Sequence, residues 1–380
     1  MATERTATDA RARRKRILRV IQALISVVVA TAMFGLVIPK IANYSSVWRT
    51  ITSLTWLELL SLLIVTVFNL FTYWWQMMAA MPGLTTAQAA VNNQTTTTIS
   101  NIIPGGGAVA VGVAAAIFRS WGFSASEITL EITLTGIWNS FLKLSLPVIA
   151  LACVAITGHA SSAAVAPAIV GLAILAGAVL LFALMLVRKR FAKTIGDALG
   201  RGWSKLKRLI RRSPAMDWGD RAVRFRHETI ELLGKRWLPL TLTTIVSHLA
   251  LYLVLLLALR HVGVSEQEVS WAQILVVFSF GRLITALPIT PGGVGLIEAA
   301  YIGALVAIGK NHRDVSLEVF KVQIAAAVLL FRTLTYGIQI PLGGFTYIIW
   351  RRDRRWLKVP PDRHLEAGAA SATAEGHVPG

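Results

Sequence analysis

From Arg282 to Ala300 the chain reads RLITALPITPGGVGLIEAA. An apolar segment ends at Pro288, Ile289, Thr290, Pro291, Gly292 and Gly293, and a second begins at once with Glu298 near its start. Pro removes a backbone donor and clashes with the preceding turn, while Gly admits backbone angles that other residues avoid, so no unbroken helix runs through this stretch. In hydrocarbon, a broken backbone is tolerated only where protein or a water-filled cavity surrounds it. With Arg282 and Glu298 on its flanks, the break is a candidate site.

The break has an echo. Residues 97–112 read TTISNIIPGGGAVAVG, so that Pro104–Gly105–Gly106 precedes Pro291–Gly292–Gly293 by 187 residues, with Asn101 standing where Pro288 stands. Like interruptions in corresponding halves point to a transporter with internal repeats and a site near the bilayer midplane. Two unrelated Pro-Gly turns between ordinary spans are the plainer alternative.

Apolar residues make up 55% of the 380, mean hydropathy is +0.61 and only 15% are charged. Several apolar runs exceed the roughly 20 residues that cross a bilayer, so most of the length is expected to form one membrane domain. The net charge of +19 would suit nucleic acid, but 28 of the 38 Lys and Arg fall in residues 1–19, 188–236 and 351–363, which border apolar runs. That is the pattern of cytoplasmic loops facing anionic lipid, and no nucleic-acid partner is expected. The one Cys, Cys153, lies within an apolar run, which leaves no intrachain disulfide and no cysteine-rich metal site.

In chain order, a basic N-terminus (1–16) precedes a first span at 17–38, and a second span follows at about 56–81. Residues 84–103 carry Gln88, Asn92, Asn93, Gln94 and Thr95–Thr98, too polar to face lipid, yet they run straight into PGGG and the apolar stretch 108–118. A re-entrant hairpin accounts for both: arm 85–103, break 104–107, arm 108–121. Spans follow at about 128–157 and 164–187. The linker 188–236 holds 15 Lys/Arg against five Asp/Glu, and Phe191, Ile195, Leu199, Trp203, Leu206 and Ile210 recur at helical spacing, as in a helix lying on anionic inner-leaflet lipid. A span at about 238–259, a second hairpin with arms 271–287 and 294–309, and a last span at about 321–349 complete the membrane domain (17–350). The tail (351–380) opens with four arginines and is polar and disorder-prone from about 364.

Placing the termini and 188–236 in the cytoplasm by their basic residues puts 82–127 inside and 260–320 outside. Span–hairpin–span then occurs twice with opposite orientation, in halves at about 56–157 and 238–349. The fold class expected is an all-α polytopic membrane protein with about six transmembrane helices and two re-entrant hairpins in an inverted repeat. Two full crossings per hairpin would leave the parity unchanged.

PITPGGVGLIEAA (288–300), Arg282 ahead of it, NIIPGGGA (101–108) and LLFRTLTYGIQIPLGG (329–344) together resemble the lysylphosphatidylglycerol synthase transmembrane family of flippase-like proteins, over roughly residues 15–350. The resemblance implies a multi-pass protein of the bacterial inner membrane that moves a polar lipid headgroup, anionic or aminoacylated, between leaflets. Some members carry a soluble aminoacyl-transferase; with about 30 residues after the last span, lipid aminoacylation in cis is not expected here, nor any other enzymatic activity.

Charges at membrane depth cost at least a few kcal/mol each and so tend to face the bundle interior and to pair. Arg282, Glu298, Arg332 and Lys143 are the candidates. Arg grips phosphate through its planar fork, and either Arg282 or Arg332 could instead pair with Glu298. Glu298 could neutralise a cationic headgroup, carry a proton, or compensate a helix dipole. Backbone N–H groups at Gly105, Gly106, Gly292 and Gly293 could receive phosphate oxygens, and the arm from Asn92 to Asn101 could either line a headgroup path or bond to neighbouring helices. His248 reads as a packed residue or a proton relay. No catalytic constellation, cofactor site or nucleotide loop is visible. A lipid translocase is therefore the expectation. A carrier of a small solute or ion and a non-catalytic subunit presenting lipid to a separate transferase are the rivals; a homo-oligomer is left open.

Overall fold

The computed structural model describes residues 43–103, 106–157, 165–190, 193–194, 218–285 and 290–352. Among them every regular element is helical. The expected span at 17–38, most of the amphipathic stretch 191–210 and the tail lie outside the described residues.

A short helix, α1 (Tyr44–Thr52), leads to α2 (Trp56–Ala80). The first broken segment follows as α3 (Thr86–Ile102) and α4 (Gly106–Ser120), and then come α5 (Ala125–Ile156) and α6 (Val165–Val187). The second half runs through α7 (Trp218–His261), α8 (Trp271–Ile284), α9 (Leu296–Gly309), α10 (Leu317–Arg332) and α11 (Gln339–Arg352). Reciprocal hydroxyl–carboxylate or hydroxyl–amide caps start four of these helices: the hydroxyls of Thr55, Thr85, Ser124 and Ser270 accept from the backbone three residues on, while Glu58, Gln88, Glu127 and Gln273 accept from the cap N–H. Each such cap contributes about 1 kcal/mol. The first arms of the two broken segments, α3 and α8, both use the neutral Gln, which carries no charge toward the membrane.

By length and composition, Trp56–Ala80, Ala125–Ile156 and Phe225–His261 are able to cross a membrane. The arms are shorter. At about 1.5 Å per residue, the 17 residues of α3 and the 14 of α8 fall short of a hydrocarbon core of about 30 Å.

Two boundaries differ from expectation. The linker 188–236 is not separate from the following span: residues 218–236 form one 44-residue helix with it, through Pro239. Phe225, Leu232 and Leu233 explain the continuity, because they pack with Ala79, Ala80, Leu130, Leu134 and Leu240 against α2 and α5. The last span is also divided. A π-helical turn, Thr333–Gly337, separates α10 from α11 immediately after Arg332.

Packing pairs recur between the halves. Helix α2 lies along α7 with reversed direction: Ser61 contacts His261, Asn69 donates to Ser247 O, Gln76 donates to Thr244, and the Met78 carbonyl receives Arg236. Helix α3 packs on α11, and its counterpart α8 packs on α5. The arms pack together within each segment, α3 on α4 and α8 on α9. The largest core cluster, with Leu62, Leu255, Phe278, Ile302, Phe320 and Ile324, joins α2 to the second half.

Candidate functional site

The PGG-V-G sequence makes the second break by backbone conformation. Gly292, Gly293 and Gly295 all have positive φ, at 58°, 72° and 83°. Side chains disfavour this region, so glycine is the residue that lets the chain reverse here. Glu298 then closes the start of α9: its Oε2 accepts from Gly295 N–H at 2.7 Å.

The other carboxylate oxygen is taken by Arg332. Its Nε donates to Glu298 Oε1 at 2.6 Å, and its Nη2 donates to Gly292 O at 2.9 Å. Glu298 is 3% exposed and the Arg332 side chain 13%. One guanidinium thus holds both the break and the helix that follows it. Tyr336 completes the arrangement: Arg332 lies 4.5 Å from its ring centroid, and its hydroxyl donates to Asn101 O at 2.8 Å. Asn101 belongs to the last turn of α3, and α3 also packs on the Pro291–Gly293 turn. The two broken segments therefore meet, with Tyr336 as the bridge.

Of the residues singled out in the sequence, Arg332, Glu298, Gly292 and Asn101 come together here. Asn101 takes part through its carbonyl. Arg282 does not join them; Arg332, rather than Arg282, is the partner of Glu298. Gly293 and Gly106 do not offer free N–H groups to a phosphate, since Gly293 N–H donates to Thr290 O at 3.0 Å and Gly106 N–H to Ile103 O at 2.7 Å. Local turn closure uses those donors first. Gly292 contributes its carbonyl, to Arg332. Gly105 lies outside the described residues.

The polar arm α3 mainly bonds to its neighbours. Asn92 donates to Ala114 O on α4 at 3.2 Å, Thr95 meets Thr346 at 3.1 Å, and Thr98 donates to Gln339 O at 2.7 Å. A second polar chain crosses the bundle elsewhere: Asn139 donates to Gln76 at 3.3 Å, and Gln76 to Thr244 at 2.6 Å. Tyr336 and Gln76 escaped the sequence reading. Four residues after Arg332, Tyr336 falls on the same helical face, a spacing that could have revealed it. Gln76 sits in an apolar run beside the aromatic residues Tyr73–Trp75, and only its partners give it away.

The model of one family, the lysylphosphatidylglycerol synthase TM region, matches residues 22–343. The chain belongs to this family. The match takes in both broken segments and the whole Arg332–Glu298–Tyr336 arrangement. No curated protein matches the chain. Membership in the lysylphosphatidylglycerol synthase TM family, together with the three helices long and apolar enough to cross a membrane among the described residues, makes this a membrane protein.

Proposed function

We propose that the chain is a lipid translocase, moving a polar headgroup across the bacterial inner membrane with both termini in the cytoplasm and without chemical conversion of the lipid. The observation that carries this reading is the meeting of two short, broken helical segments at a buried Arg–Glu pair: Tyr336 reaches Asn101 on one segment while Arg332 holds Gly292 and Glu298 of the other. Irregular backbone and ionised groups survive at membrane depth when they line a protein or water-filled interior, which is where a headgroup needs to pass. The antiparallel packing of α2 on α7, and the exchange of α3–α11 for α8–α5, support an inverted repeat of two re-entrant hairpins. Family membership adds the lipid. The basic residues Arg226, Lys235 and Arg236 of α7 suit contact with anionic inner-leaflet lipid.

The test is a leaflet-sidedness assay in proteoliposomes with labelled phosphatidylglycerol. The wild-type protein should move label between leaflets, and Arg332→Ala and Glu298→Ala should slow it at least tenfold. Movement at the protein-free rate, or equal rates for all three proteins, removes this reading.

A further inference from the structure

Helix α2 is polar inside and apolar outside. Thr66, Asn69, Thr72 and Gln76, three or four residues apart, are all buried, while Leu63, Ile64 and Val67 are exposed. The buried face of α7 meets this row with Thr244, Ser247 and His248. Asn69 donates to Ser247 O at 2.7 Å, and Gln76 to Thr244 Oγ1 at 2.6 Å. Ser247 Oγ donates to Thr244 O at 2.8 Å, and His248 Nδ1 lies 3.1 Å from the same carbonyl. On α5 the ladder continues through residues four apart. Asn139 donates to Gln76 Oε1 at 3.3 Å and to Thr135 O at 2.7 Å, and Thr135 donates to Glu131 O at 2.8 Å.

The ladder ends at an acidic residue. Glu131 is 4% exposed and sits on a seam between two apolar clusters. Ile128, one turn before it, packs with residues of α2, α3 and α4, while Leu134, one turn after it, packs with Leu232, Leu233 and Leu240 of α7. Among the described residues no ion pair reaches Glu131. The charged groups on the helices packed against this end of α5 are engaged elsewhere or turned to the outside. Arg119, His227, Glu231 and Lys235 are exposed, Arg226 and Arg236 bond to the Val187 and Met78 carbonyls, and Glu228 receives Ser126. Lys143 and Arg282 act on His248 and not on Glu131. A carboxylate on this seam would lack both water and a counter-charge, so the group is stable only while it holds a proton.

The two sides of the seam are held differently. Hydrogen bonds tie α7 to α5 on either side of Glu131, from Ser126 Oγ to Glu228 at 2.6 Å and from Trp138 Nε1 to Thr241 at 2.9 Å. Among the described residues no hydrogen bond joins α5 to α3 or α4, and the contact there is apolar. The first broken segment can therefore move off Glu131 without breaking a directional bond. Thr66 Oγ1 and His248 Nε2, both in the ladder, are buried with no partner among the described residues, as suits a row that passes a mobile proton or water.

We infer that Glu131 is a proton-binding site served by this buried ladder, and that the chain draws on a proton gradient for its transport. Hydroxyls and a neutral imidazole both accept and donate, so His248, Ser247, Thr244 and Thr135 can hand a proton toward the Glu131 carboxyl, while the amides of Asn69, Gln76 and Asn139 keep the three helices in register. Movement of α3 and α4 off the seam opens the carboxyl to water, which takes the proton away. The inference rests on the translocase reading for its cargo, whereas proton binding by Glu131 is tested without lipid movement.

The test uses the full chain in two preparations. In detergent at neutral pH, infrared difference spectra of wild-type protein and Glu131→Gln should differ by a protonated-carboxyl stretching band. In proteoliposomes holding a pH-sensitive dye, an imposed pH gradient should drive protons inward through the wild-type protein. Glu131→Gln should cut that entry to the rate of protein-free vesicles at an unchanged melting temperature. Proton entry that Glu131→Gln leaves unchanged overturns the inference, as does absence of the carboxyl band. If Glu131→Gln does not fold, Thr135→Val decides, because it keeps the shape of the side chain and interrupts the ladder. Slower proton entry in that variant supports the path, and an unchanged rate overturns it. Labelled phosphatidylglycerol in the same vesicles separates the two readings. Lipid movement that ignores both the gradient and Glu131→Gln sinks this inference alone. Proton entry through Glu131 with no lipid movement sinks the translocase reading and leaves the proton site standing.

Discussion

Arg332 Nε lies 2.6 Å from Glu298 Oε1, across 34 positions of sequence, and the same guanidinium reaches Gly292 O. A helix interrupted by a π turn is thereby pinned to the broken segment between α8 and α9 through one buried cation. Breaking a buried pair strands the remaining charge, at a cost of about 3–5 kcal/mol, more than the pair itself contributes.

Arg332→Met should therefore lower the melting temperature of the detergent-solubilised protein more than Arg332→Met combined with Glu298→Gln. Thermal unfolding of the two single variants and the double variant measures the difference. A double variant no more stable than Arg332→Met would mean that the carboxylate is not stranded.

Tyr336→Phe removes the hydroxyl that donates to Asn101 O and keeps the ring under Arg332. The loss expected is about 1 kcal/mol, seen as a small fall in melting temperature and faster hydrogen exchange at the end of α3. Gly292→Ala should do more, since its φ is 58° and an added Cβ would overlap the Tyr336 ring.

Neighbouring glycines of α11 should respond in opposite directions. A Cβ on Gly343 would overlap Thr98 and the Gln94 carbonyl of α3, whereas one on Gly344 meets nothing within 4 Å. Gly343→Ala should destabilise by about 1–3 kcal/mol. Gly344→Ala should be neutral or stabilise by up to about 1 kcal/mol, the usual gain of Ala over Gly inside a helix. Equal melting temperatures for the two would contradict the close approach of α3 and α11.

The proposed inverted repeat is open to labelling. In a Cys153→Ala background, Pro82→Cys before α3 and Gln267→Cys before α8, both at exposed positions, should react with impermeant maleimide from opposite faces of the membrane. Reaction from the same face removes the inverted repeat.

What the sequence determined is what depends on local chemistry. Pro and Gly at 288–293 forbid a continuous helix, the Thr85–Gln88 and Ser270–Gln273 spacings start the two first arms, and apolar length marks the long helices. The packing decided the rest. Arg282 and Arg332 are equally plausible partners for Glu298 in one dimension, and only the approach of α10 to the second break chose Arg332. The glycine N–H groups looked free for phosphate until turn closure took Gly106 and Gly293. The polar arm became largely an adhesive surface because α4 and α11 present carbonyls and a hydroxyl to Asn92, Thr95 and Thr98. Hydrogen bonds and ion pairs between distant residues depend on how helices dock, and spacing along one helix carries no record of the partner it will meet.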